Sequence, residues 1–105
     1  MRTATAEIPP QIRYPQQNET IASPLYAMCV AASGSALALE ISIDGGPWLP
    51  CRKEIGNWWY DWSDYADGEH RIVARTRGKA GRWSESAPRL LMVDVLMKRG
   101  AAARR

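Results

Sequence analysis

Leu39, Ile41 and Ile43 alternate with Glu40, Ser42 and Asp44, the period-two pattern of a strand with one buried face. Asp44-Gly45-Gly46 follows, and these residues accept positive φ at little cost, so the strand is predicted to reverse sharply there. Trp48 to Arg52 reads as a second short strand, placed at an edge because Pro50 has no N–H to give to a ladder. After a turn containing Gly56 comes an aromatic strand, Trp58 to Trp62. Its alternation sends Trp58, Tyr60 and Trp62 inward and leaves Trp59 outside with Asp61, either exposed or covered by the arm at residues 1–10 or by a neighbouring arginine stem. Three short strands joined by tight turns are expected to share one antiparallel sheet.

The rest of the chain repeats this grammar. Ile12 to Pro15 reads as an edge strand, Gln16 to Thr20 as a polar loop, and Leu25 to Ala32 as an apolar strand. In that strand Tyr26, Met28 and Val30 share one face, while Ala27 and Cys29 share the other. Asp64 to Gly68 closes the aromatic unit. His70 to Arg77 alternates again, with Ile72, Ala74 and Thr76 on one side and Arg71, Arg75 and Arg77 on the outward side. Gly78 to Gly81 is a hairpin turn, and Trp83-Ser84 leads into a last strand from about Arg89 to Leu96. About seven to eight short strands, separated by turn residues and without any helical period, make the fold class all-β: an antiparallel β-sandwich. Residues 1–10 read as an extended N-terminal arm, 11–97 as the domain, and 98–105 as a basic, flexible C-terminal tail.

Composition narrows the picture. A chain of 105 residues is one domain, and 46% hydrophobic with 24% charged residues is globular rather than disordered. Phe is absent while Trp occurs five times, so the aromatic volume comes from rings that suit both strands and binding surfaces. The net charge of +3 is uneven, because residues 61–105 carry ten basic against six acidic residues. Four of those basic residues, Lys98, Arg99, Arg104 and Arg105, fall in the tail, where solvation at a chain end is the expected role. The first ten residues contain no apolar core of a secretory signal, and no run has membrane-spanning length. A virion-associated or cytoplasmic setting is therefore favoured over classical secretion. Cys29 and Cys51 are expected in different strands as two buried thiols rather than a disulfide.

A resemblance emerges over residues 37–95. Glu40-Ile41-Ser42-Ile43-Asp44-Gly45-Gly46-Pro47-Trp48, then Trp58-Trp59-Tyr60, then Asp67-Gly68-Glu69-His70-Arg71-Ile72-Val73-Ala74-Arg75, then Gly81-Arg82-Trp83-Ser84, together resemble the bacterial Ig-like and fibronectin-III-like modules. The resemblance implies an Ig-like β-sandwich. It also implies that His70 stands where such modules often carry the corner tyrosine, which anchors a corner by bonding backbone. It implies no reaction, since these modules mostly act as spacers, adhesion units, assembly contacts or carbohydrate binders.

The residues themselves offer little chemistry. One histidine and two cysteines without a Cys-x-x-Cys spacing do not compose a metal or redox centre. No nucleophile elbow or phosphate-binding glycine loop is present. Asp61, Asp64 and Asp67 lack the alternation of a calcium loop and read as turn residues. No catalytic residue, metal or cofactor is expected, and the chain is not expected to be an enzyme. What remains is surface: Trp59, with Tyr65 and Trp83 in predicted turns, and the arginine stripe Arg71, Arg75 and Arg77. Acidic residues around the stripe and only one unpaired aromatic nearby disfavour a nucleic-acid groove, and cross-strand pairing with Glu40 or Asp44 is the expected role of the stripe. The expected function is a non-enzymatic structural or interaction module that contacts other protein subunits, itself or heterologous. A phage virion decoration or tail component is the favoured setting. The alternative is a carbohydrate-binding or adhesion module in which Trp59, Tyr65 and Trp83 stack against a glycan.

Overall fold

The computed structural model describes residues 8–79 and 81–95. Most of the expected arm and all of the expected basic tail, together with Leu96, lie outside the described residues. Ten strands follow in order: β1 (Gln11–Tyr14), β2 (Glu19–Ile21), β3 (Leu25–Ala31), β4 (Ala38–Ile43), β5 (Trp48–Pro50), β6 (Arg52–Glu54), β7 (Asn57–Ser63), β8 (Gly68–Arg77), β9 (Trp83–Glu85) and β10 (Arg89–Val93). They form two sheets. One has the order β1-β3-β7-β6; the other runs β2-β10-β8-β4-β5, with β9 continuing along β8 beyond the end of β10. Pairing is antiparallel except between β2 and β10, which run parallel.

The core sits where the alternation placed it. From the first sheet Ile12, Met28, Val30, Trp58 and Trp62 point inward; from the second come Leu39, Ile41, Ile72, Ala74, Leu91 and Val93. Each fully buried aliphatic side chain stabilises the fold by about 1.5–3 kcal/mol relative to exposure. Tyr60 shares the inward face but is only half-buried. The predicted turn at Asp44-Gly45 is present: both residues have positive φ, 55° and 75°, and the Gly46 amide closes it on the Ile43 carbonyl at 2.9 Å.

Several expectations require correction. The segment Trp48 to Arg52 is not one strand. It pairs with β4 up to Pro50, crosses at Cys51, and joins β7 in the other sheet from Arg52 onward. The strands at 39–43 and 58–62 therefore belong to opposite sheets, since β5 and β6 carry the chain between them. The polar segment Gln16 to Thr20 is not wholly loop, because Glu19 and Thr20 open β2 beside β10. The last stretch divides into β9 and β10, each with its own register on β8.

The cysteines are free. Cys29 lies on the outward side of β3, yet is 2% exposed, with Tyr14 and Trp59 directly opposite on the neighbouring strands. Cys51 lies at the crossover rather than in a strand and is only partly buried. Desolvation there, with the nearby Glu40 carboxylate adding to it, pushes its thiol up to about 12.

Candidate interaction surface

The longest strand, β8, presents Arg71, Val73, Arg75 and Arg77 on its outward side, because Ile72, Ala74 and Thr76 are committed to the core. β4 and β9 flank it, and their registers set Glu40 and Glu85 opposite Arg75, with Trp83 opposite Arg77. Arg75 becomes the centre of the face. Its guanidinium carbon lies 4.1 Å from the Trp48 ring centroid and 4.0 Å from that of Trp83, so the group is wedged between two indoles. Its Nε and Nη2 donate to Glu40 Oε1 at 3.0 and 2.6 Å. A planar cation stacked on two indole faces and forked onto a carboxylate is fixed in every direction, as a lysine would not be.

Arg77 extends this ladder. Its guanidinium carbon is 5.2 Å from the Trp83 centroid, and its Nε is buried without a hydrogen-bond partner. Trp83 remains 37% exposed, and on the same sheet face stand Leu90 and Met92, 42% and 38% exposed. Register places Leu90 beside Arg71 and Met92 beside Glu69. The outer face of the six-stranded sheet is thus a rigid aromatic and cationic stack next to an apolar patch.

The structure does not bring all the expected surface residues together. Arg71, Arg75, Arg77 and Trp83 share the face just described. Trp59 points outward as expected but on the opposite sheet, and it is half-buried rather than exposed. Its indole N–H donates to the Glu54 carbonyl at 3.1 Å, and Arg52 lies directly opposite it in register. Tyr65 is no free turn residue either. Its ring packs on Trp62 with centroids 4.0 Å apart, and its hydroxyl donates to the Ser23 carbonyl. Trp59, Tyr65 and Trp83 therefore form no common stacking platform. The arginine pairing is half as expected: Arg75 takes Glu40, while Asp44 accepts from the Arg71 backbone N–H at 2.9 Å and bonds His70. Trp48 is the partner of Arg75 that sequence reading missed. Its signal was faint, resting on whether β5 lies next to β4 and on the same side as Glu40.

The turn acids are occupied structurally. Asp61 accepts from Arg52, Asp67 Oδ1 accepts the Val95 N–H at 2.9 Å, and Asp64 adopts φ 60° in the β7–β8 corner. Among the described residues no three His, Cys, Asp or Glu side chains gather to hold a metal ion. Nor is any helix among them long and apolar enough to cross a membrane.

The sequence matches no protein-family profile and no curated protein. Solved structures do match. A fibronectin(III)-like module of Clostridium thermocellum CbhA superposes with a TM-score of 0.69 at 17% identity, covering 83% of this chain and 97% of that one. An engineered protein superposes with a TM-score of 0.66 at 18% identity over 81% of this chain, which spans 20% of that protein's length. The chain thus folds as a fibronectin-III-like, Ig-like β-sandwich. The fold by itself does not decide what the protein does.

Proposed function

We propose that this module is a non-catalytic interaction domain that docks onto other protein subunits through the outer face of its six-stranded sheet, within a larger assembly such as a phage virion decoration or tail structure. The observation that carries this reading is the wedge of Arg75 between Trp48 and Trp83. Trp and Arg dominate the energetics of protein interfaces. Side chains already locked in place lose little conformational entropy when a partner arrives. Leu90 and Met92 supply apolar area that a partner can bury beside the stack. Arg71 and Arg77 flank it as polar groups suited to an interface rim.

The test is molar mass by light scattering over a concentration series, comparing wild type with the Leu90→Ser/Met92→Ser double variant. Both side chains lie on the outer face of the sheet, away from the core, so their replacement leaves the core intact. Wild type is expected to form a discrete oligomer or growing polymer, and the double variant to remain monomeric. A wild type that stays monomeric throughout contradicts self-assembly. Unchanged assembly in the double variant contradicts the choice of face.

A further inference from the structure

Between β1 of one sheet and the β9–β10 connection of the other lies an open cleft of about 440 Å³, within the size range of ligand pockets. Arg13 and Arg89 line it, and none of the described residues lining it is acidic. Arg89 occupies an anomalous position. Register pairs it with Ile72, and alternation groups it with Leu91 and Val93 on the inward face, where those neighbours are 2% and 1% exposed. A guanidinium at an interior-facing, half-buried position gives up water and requires compensation. Its one hydrogen bond to the described residues runs from Nη1 to the Pro15 carbonyl at 2.8 Å, joining the two walls of the cleft. None of the ion pairs of the described residues involves Arg89 or Arg13. Arg13 sits at the register shift between Ile12 and Tyr14, and an irregularity of that kind re-aims a side chain. Tyr14, 47% exposed, stands beside it.

We propose that this cleft binds an acidic peptide segment of a partner protein, with Arg89 and Arg13 receiving its carboxylates. Guanidinium forks match carboxylates in geometry as well as charge, and among the described residues no acid in the cleft competes for either arginine. β1 is short, irregular and bounded by Pro10 and Pro15, so its edge is closed to an added strand. The cleft therefore takes acidic side chains rather than a pairing backbone. Nucleic acid is disfavoured because tracking a phosphate chain takes a row of cations, and two arginines do not make one. The site lies away from the Trp48–Arg75–Trp83 face and stands independently of the docking reading above.

The probe is N-acetyl-tetraglutamate amide, titrated at low salt into the isotope-labelled full-length protein and followed by amide chemical shifts. Saturable shifts are expected at Arg13, Tyr14, Ala87 and Arg89. Arg89→Gln and Arg13→Gln should each weaken binding about fivefold or more, whereas Arg71→Gln on the other face should not. Arg89→Gln is used only if it retains the wild-type thermal midpoint; exposed Arg13 carries the test otherwise. Absence of saturable shifts, or unchanged affinity in Arg13→Gln, would overturn the proposal. Tighter binding of a single-stranded oligothymidylate of equal charge at the same residues would overturn it in favour of nucleic acid.

Discussion

Both ring nitrogens of His70 face oxygens that only accept: Asp44 Oδ2 is 2.6 Å from Nδ1, and the Ala66 carbonyl is 2.7 Å from Nε2. Only the protonated imidazolium can donate to both. Burial opposes that charge, but the bonds to Ala66 and Asp44 outweigh it and raise the pKa above its ordinary value. The folded state then holds the proton more tightly than the unfolded chain does. Its contribution is complete below the unfolded value of about 6.5 and is lost as pH rises through the higher folded value. His70→Gln is expected to cost about 1–3 kcal/mol at acidic pH, and the deficit should shrink steadily on raising the pH. Thermal midpoints of both proteins from pH 5.5 to 9 check this; a pH-independent gap would contradict it. The corner-anchoring role of His70 was legible, because resemblance placed it where a side chain anchors the corner by bonding backbone, and the Ala66 carbonyl is the partner it meets. Asp44 was not legible as its second partner. It lies 26 residues earlier, and only the closing of the β4–β5 turn against the β7–β8 corner brings them together.

At the scale of elements, two hairpins use the same backbone solution with different residues. Asp44-Gly45 meets the need for two positive φ angles with residues suited to it. The β6–β7 turn sets Ile55 at φ 50° before Gly56 at φ 77°. A β-branched residue in the left-handed region is strained, and Ile55, at 92% exposed, recovers no burial in return. Ile55→Asn should therefore stabilise the protein by about 1 kcal/mol, since Asn-Gly suits this turn. Urea unfolding checks it, with a raised midpoint at unchanged slope expected and a lowered midpoint contradicting the strain. Strand positions were largely readable because period-two alternation survives wherever one face is buried. The break at Cys51 was not, since the chain stays extended while it changes sheets and alternation marks faces rather than neighbours. The same blindness left open which neighbour stands against Trp59: that it faces outward follows from alternation, but that Arg52 comes to lie opposite it follows only from the crossover.

For the molecule as a whole, the sandwich was legible from many short apolar strands between turn residues, and the agreement with a fibronectin(III)-like module supports it. Assignment of strands to sheets was not legible, and the surface depends on that assignment. Only the order β5-β4-β8 with β9 beyond allows Trp48 and Trp83 to close on Arg75 from two sides, while Trp59 and Tyr65 go elsewhere. The proposed docking face can be probed directly, because each of the five Trp indoles has one N–H resonance. The decisive measurement is a concentration series of these resonances and of the methionine methyls in the full-length protein. Concentration-dependent shifts and broadening should be confined to Trp48, Trp83 and Met92, leaving the Trp59 indole unchanged. Changes centred on Trp59, or spectra that do not alter at any concentration, would contradict self-association through the six-stranded sheet.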